Sequence, residues 1–252
     1  MAKVPFELKG KTVFVAGHGG MVGGALWALI PGLLKTRFNT NEILTSLMLV
    51  YIAERVIDYF VRGPWRDPAG LNFPLTANFD NTLPVLFRRS PIHLDSIFAL
   101  IVVAAAAIML WGSLKGFEIR VLGQAPRAGL FAGFSPKRTT LIVFAISGAL
   151  AGLAGISVAD GTMGLLQIPF ASGYGFTAII VAFLGRLNPI GILLAGLLLA
   201  LSYLGGEQAQ IALKVPVGIT GVIQGLLLFY VLACDTFILY RLRLTRSEPK
   251  AA

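Results

Sequence analysis

The sequence predicts an all-α polytopic membrane protein: a bundle of about six transmembrane or half-length helices, with a short non-membrane strand-turn fragment at its N-terminus. Three observations predict it. Of 252 residues, 56% are hydrophobic and only 13% charged, which is about half the charge of a soluble globular domain. Four apolar runs, Leu94 to Leu114, Thr139 to Ala159, Leu187 to Leu204 and Val217 to Tyr240, meet or approach the roughly 20 residues a helix needs to cross a bilayer. The lysines and arginines behind the net charge of +9 stand in short clusters between those runs, as in loops flanking membrane spans. They form no aromatic-interleaved basic groove of the kind that binds nucleic acid.

Three regions follow from this reading: residues 1–23, a membrane region over 24–243, and a cytoplasmic tail over 244–252. In the first, "KTVFVAGHGGMVG" spaces Gly17, Gly20 and Gly23 as G-x-x-G-x-x-G after the apolar run Thr12 to Ala16. A dinucleotide-binding turn has that order, with glycines for the tight turn and the pyrophosphate on the next helix N-terminus. No second strand and no alternation of helix and strand follows, so the three glycines read as vestigial and no cofactor is expected. Met21 to Leu34 is then a partial span, too short to cross alone.

Asn41 to Val61 is apolar enough to insert, yet Tyr51, Glu54, Arg55, Asp58 and Arg62 recur at helical spacing and give it one polar face. Ionisable residues at membrane depth face a bundle interior or a water-filled path; a helix end reaching the interface suits the same side chains equally. Gly63 to Ser90, rich in Pro, Asn and Asp but also in leucines and aromatics, reads as an ordered extramembrane loop. Within the Thr139 span, "ISGALAGLAGI" sets Gly148 and Gly152 four apart, and likewise Ser147, Ala151 and Gly155, which lets helix backbones approach closely. Phe170 to Leu184 is short and preceded by Pro169, a pattern for a broken or half-length helix buried in protein or lining a cavity.

Lys115, Arg120, Arg127, Lys137 and Arg138 crowd one loop, and Arg241, Arg243, Arg246 and Lys250 fill the tail; the positive-inside rule places both in the cytoplasm. Threading the spans then puts Lys35 to Thr40 inside and the Gly63 to Ser90 loop outside, although Arg62, Arg66, Arg88 and Arg89 sit at that outer loop. His18 and His93 belong to different segments, so no metal site is expected. The single cysteine, Cys234, lies in an apolar run and reads as a small buried hydrophobe. No G-x-x-x-x-G-K-[ST] loop is present, so the chain does not itself bind ATP through one.

Three segments, "FNTNEILTSLMLVYIAERVIDYFVRGPWRDP", "FEIRVLGQAPRAGLFAGFSPKRTTLIVFAISGALAGLAGI" and "GYGFTAIIVAFLGRLNPIGILLAGLLLA", together resemble the permease subunits of ABC importers, in the branched-chain amino acid, simple sugar and nucleoside permease family. The likeness runs from about Gly24 to Arg243, and "GPWRDP" with the later "FP" is most similar to the simple-sugar or nucleoside branch. The resemblance implies a multi-pass protein of the plasma membrane that forms a translocation path and is not an enzyme. It also implies three partners: a separate ATPase subunit that drives transport, a second permease subunit in a homo- or heterodimer, and an extracytoplasmic substrate-binding protein.

Arg120 to Phe134 resembles the family's R-A-V-G-x-N-P-x-A-A-x-x-x-G-I segment, the coupling helix that docks on the ATPase. The likeness assigns that role to Arg120, Gly123, Pro126, Arg127, Ala128 and Gly133; Ala125 stands where the family has Asn, and Gly129 where it has Ala. An inner loop with snorkelling arginines is the alternative. For the substrate path the polar face of Asn41 to Val61 offers Glu54 and Asp58, and Asp160, Gln167 and Ser172 stand beside the broken helix where transporter sites gather; structural hydrogen bonding suits the last three as well. The first residues differ: "KTVFVAGHGGMVG" resembles the N-terminus of GDP-L-fucose synthases, NADP-dependent epimerase/reductases of the extended short-chain dehydrogenase class. That implies a chimera with its seam near Gly20 to Gly24, and an alternative function as an oxidoreductase fragment. Such a fragment is expected to be inactive, because no tyrosine here has the lysine four residues on that this class uses.

Overall fold

The computed structural model describes residues 12–67, 74–76, 94–159, 164–166, 173–214, 216 and 218–239. The described residues form nine helices, and an isolated antiparallel bridge joins Arg66 and Thr76. The chain divides into two compact units, Met1–Ser172 and Gly173–Ala252.

The first unit is built on α1 (Thr12–Phe38) and α6 (Pro136–Ile156). The strand-turn expected over Thr12 to Gly23 is instead the start of α1, a helix of 27 residues that passes residues 23 and 24 without a break. An isolated strand leaves its N–H and C=O groups unpaired, whereas a helix satisfies them internally, which is decisive in lipid. The glycines then take a different job. Gly20 and Gly24 are one helical turn apart and face Gly148 and Gly152 of α6, so closely that a Cβ on Gly24 would overlap the Gly148 carbonyl oxygen and one on Gly152 the Gly20 carbonyl oxygen. Further along, Gly32 lies against Phe144, with only 3.2 Å between an added Cβ and the Phe144 side chain. Residue numbers rise on one helix as they fall on the other, so the pair is antiparallel. Gly23 meets nothing within 4 Å, so the G-x-x-G-x-x-G spacing is incidental and the G-x-x-x-G spacing makes the contact.

α1 contains Pro31, which is buried and has no N–H to give the Trp27 carbonyl; one turn later Thr36 Oγ1 donates to the Gly32 carbonyl at 2.9 Å. The helix ends at Asn39, whose φ of 52° is left-handed and whose N–H bonds back to Lys35 O at 3.0 Å. Asn41 caps α2 (Glu42–Arg62) by accepting from Ile43 N at 2.9 Å, and Lys35 Nζ donates to Glu42 across the turn. After α2, Trp65 stacks on Phe60 with centroids 4.6 Å apart. Thr76 then pairs with Leu166 through two hydrogen bonds of 2.9 and 3.1 Å, so part of the expected extramembrane loop is ordered and tied to the chain beyond α6.

α3 (Leu94–Gly112) ends in a 72° break, and α4 (Leu114–Gln124) and the short α5 (Pro126–Phe131) lead into α6. Residues 157–159 extend α6 as a π turn.

In the second unit, α7 (Tyr174–Leu184), α8 (Pro189–Leu213) and α9 (Gly218–Leu239) pack together. α7 and α8 close a hairpin through Gly185, which abuts Gly191 and Ile192 backbone to backbone. Arg186 and Leu187 are both left-handed, at φ 52° and 55°, and Asn188 caps α8 by accepting from Ile190 N at 3.1 Å. The Thr177 and Tyr203 hydroxyls bond at 2.9 Å. Cys234, expected to be buried, is exposed on α9.

Pro136–Ala159 and Pro189–Leu213 are long and apolar enough to cross a membrane, with a third span if Ser96–Gly112 and Leu114–Gln124 are one bent segment. The expected half-length helix is α7, of 11 residues.

Leucine at Gly24 or Gly152 is expected to separate α1 from α6 and lower stability by about 2–3 kcal/mol or more, since backbone cannot yield as a side chain does. Gly23→Ala is expected to raise it by up to ~1 kcal/mol through helix propensity. Thermal unfolding in detergent micelles measures both.

Candidate functional site: the α4–α5 segment and the polar face of α2

Ser113 starts α4 as its N-cap, accepting from Gly116 N at 3.0 Å. The chain then turns at Ala125 into α5, whose first residue, Pro126, has the φ of a helix start and no N–H to leave unpaired. Ala125 is the N-cap and makes no side-chain bond to α5; an Asn there has the carbonyl to accept one. Gly129 is buried, and an added Cβ would come within 2.6 Å of Leu122 on α4, so the Ala of the related segment does not fit without Leu122 moving. Gly133 is left-handed at φ 81°. Its N–H bonds Leu130 O, and Phe134 N–H bonds Gly129 O, both at 3.0 Å, the paired bonds of a Schellman end. Phe134 then turns back edge-on to Phe117 of α4, with centroids 6.3 Å apart.

The residues singled out by sequence therefore separate by role. Pro126 and Gly133 shape the backbone. Arg120, Gly123, Arg127 and Ala128 are exposed, and Gly123 has open space around it. On α5 the large apolar side chains Leu130 and Phe131 stand out at 57% and 94% exposure; the spacing did not single them out, although an apolar pair at the end of a Pro-initiated helix between basic flanks is a readable signal. The tip can bury an aromatic ring in a partner's apolar cleft while Arg127 offers a guanidinium at its edge.

Beneath this surface lies a cluster that sequence reasoning missed. Glu118 on α4 is buried, accepts from Lys115 Nζ at 2.7 Å through one oxygen, and accepts from Thr139 Oγ1 of α6 through the other. Sequence spacing gives no hint of a pairing across 21 residues.

On α2 the expected polar face splits in two. Tyr51, Arg55 and Tyr59, with Met48, Ile52 and Val56, line a shallow, mainly apolar groove of about 550 Å³. Glu54 is exposed beside it, and Asp58 pairs with Arg62, one turn on, at 2.6 Å. Asp160, Gln167 and Ser172 lie outside the described residues. Among the described residues no three His, Cys, Asp or Glu side chains converge to hold a metal ion. Gly20 and Gly23 lie inside α1 with Gly17, so the backbone N–H groups there are spent within a helix and do not form a phosphate-binding turn.

The family model for the permease component of branched-chain amino acid transport systems matches residues 2–232, so it includes the glycine run from Gly17 to Gly24. The chain is 36% identical to a glucose ABC transporter permease protein of Haloferax volcanii over 87% of its own length. It is 32% identical to a guanosine ABC transporter permease protein of Bacillus subtilis over 82%, and 31% identical to a nucleoside ABC transporter permease protein of Lactococcus lactis subsp. cremoris over 84%. It spans 61% of the length of each of the three. No solved structure matches the chain.

Two outcomes follow from the segment's geometry. Gly133→Val forces a β-branched residue into a left-handed conformation at a cost of about 1–2 kcal/mol, and Ala125→Asn adds about 1 kcal/mol by capping α5; hydrogen exchange over residues 126–134 reads both. The Lys115 ammonium first, and the Thr139 hydroxyl second, hold the Glu118 carboxyl below its ordinary value of 4.5. A depressed value means that its contribution is complete above pH 4.5 and is lost as pH falls through the folded-state value. Protection of α4 amides, corrected for intrinsic exchange, is expected to hold down to about that pH and to fall below it, and Glu118→Gln to remove the dependence.

Proposed function

Because the chain belongs to the branched-chain amino acid transport system permease family, a family of membrane proteins, we propose that it forms the translocation path of an ABC-type importer for a simple sugar or a nucleoside. The sugar and nucleoside classes come from the relatives, which carry glucose, guanosine and nucleosides by name. Transport is driven by a separate ATPase subunit, beside a second permease subunit and an extracytoplasmic substrate-binding protein. The chain is a permease and not an enzyme, and it sits in the cell membrane with its C-terminus in the cytoplasm.

The observation that carries the reading is the tip of α5. Phe131, 94% exposed, stands on a helix braced at one end by Pro126 and at the other by the Gly133 turn, between basic flanks. Arg120, Gly123, Arg127 and Ala128 make up the surface around it, and this α4–α5 segment docks on the ATPase. Antiparallel packing supports the orientation: it brings Lys35 and Arg37 at the end of α1 to the same end of the pair as Lys137 and Arg138 at the start of α6. Four cations there obey the positive-inside rule together. α2, α3, α6, α7, α8 and α9 are the six transmembrane or half-length helices of this reading. Glu54 and Asp58 of α2, with Asp160, Gln167 and Ser172, line the path.

The ATPase subunit is expected to co-purify with the chain from membranes. Phe131→Asp is expected to reduce that recovery tenfold or more and to abolish ATP-dependent uptake of labelled glucose or guanosine. Undiminished recovery and uptake by the Asp variant rejects the docking assignment.

A further inference from the structure

The Lys115–Glu118–Thr139 cluster has no part in the docking surface, yet it is the polar link between that surface and the membrane helices. α4 is fixed at its start: Gly116 packs on the Met109 and Leu110 carbonyls too tightly for any side chain, and Ser113 caps the turn. One turn on, Glu118 is 9% exposed, and its carboxylate takes a hydrogen bond from Thr139, itself 6% exposed, in the first turn of α6. A buried carboxylate without its donor carries an uncompensated desolvation cost. The α4–α6 arrangement is therefore tied to that one bond, with Lys115 neutralising the charge from the other side. The N-terminus of α6 adds a favourable dipole for the same carboxylate.

We propose that Glu118 and Thr139 are positioning residues for energy coupling: their hydrogen bond latches the docking segment to α6, so a push on α5 moves α6 and, through the glycine contact, α1. This rests on the reading of α4–α5 as the ATPase-docking segment. Burial and two donors hold the Glu118 side chain in place, and the contact from α6 to α1 is close-packed backbone, so a displacement of α4 is passed on with little slack.

Thr139→Val deletes the donor and nearly conserves shape, and Thr139→Ser restores it; neither touches the exposed tip. In proteoliposomes holding the full chain with its co-purified ATPase and partner subunits, the Val variant is expected to retain wild-type ATPase recovery. Its uptake of labelled glucose or guanosine per ATP hydrolysed is expected to fall at least fivefold, and the Ser variant to return within twofold of the unaltered chain. An unchanged ratio in the Val variant overturns the proposal. So does loss of ATPase recovery comparable to that of Phe131→Asp, which makes the cluster part of the docking surface instead. If no ATPase accompanies the unaltered chain, or neither probe is taken up, the docking or substrate reading fails first and the latch is judged by itself. Hydrogen exchange over residues 114–131 in detergent must then rise at least tenfold with Val and stay put with Ser; equal exchange in all three overturns the latch.

Discussion

The first unit depends on a contact whose centre is backbone against backbone. Lipid tails are as apolar as leucine, so two helices gain little in a membrane by covering apolar surface. They associate through dispersion at close range. Gly20 and Gly24 against Gly148 and Gly152 give α1 and α6 backbone contact, and the other placements follow. α2 is set by the Asn39 turn and the Lys35–Glu42 pair at the end of α1. The docking segment is set by Thr139 at the start of α6. The Thr76–Leu166 bonds secure the opposite end.

The α4–α5 segment shows a division of labour within a short sequence. Its glycines and proline carry no chemistry; they fix the path of the chain, so that Leu130 and Phe131 project while Gly129 and Glu118 are enclosed. The substitution of Gly for Ala at position 129 fits this view. A glycine lets α5 lie on Leu122, which brings the tip close to α4 and makes the Glu118 anchor relevant to it.

Much of this was legible in the sequence, for reasons that differ by element. α2, α3, α6 and α9 fall where long apolar runs fall, within a few residues, and α8 starts with its run but continues nine residues past Leu204, because hydrophobic length is the strongest constraint a bilayer imposes. The half-length α7 was announced by Pro169 and a short run. The N-terminal glycines misled: Thr12 to Ala16 is β-branched and aromatic enough for a strand, and G-x-x-G-x-x-G overlaps the G-x-x-x-G of a packing face. Only the partner helix, more than a hundred residues away, decides between them. Gly133 was legible as a special position but not as a helix end. Glu118 with Thr139, and Thr177 with Tyr203, were illegible because each pair joins residues from different helices with no local pattern.

The α7–α8 hairpin bears on how the chain is made. At 11 residues, α7 is only about 16 Å long, roughly half the thickness of a bilayer's hydrocarbon core. A segment that short has too little apolar surface to partition into the membrane by itself as it leaves the ribosome. Gly185 pressed on Gly191, and a turn in which Arg186 and Leu187 accept left-handed backbone, join it tightly to the start of α8. Joined in this way the two helices offer the apolar length that α7 lacks by itself, so that four-residue turn bears on membrane integration as well as on the finished fold.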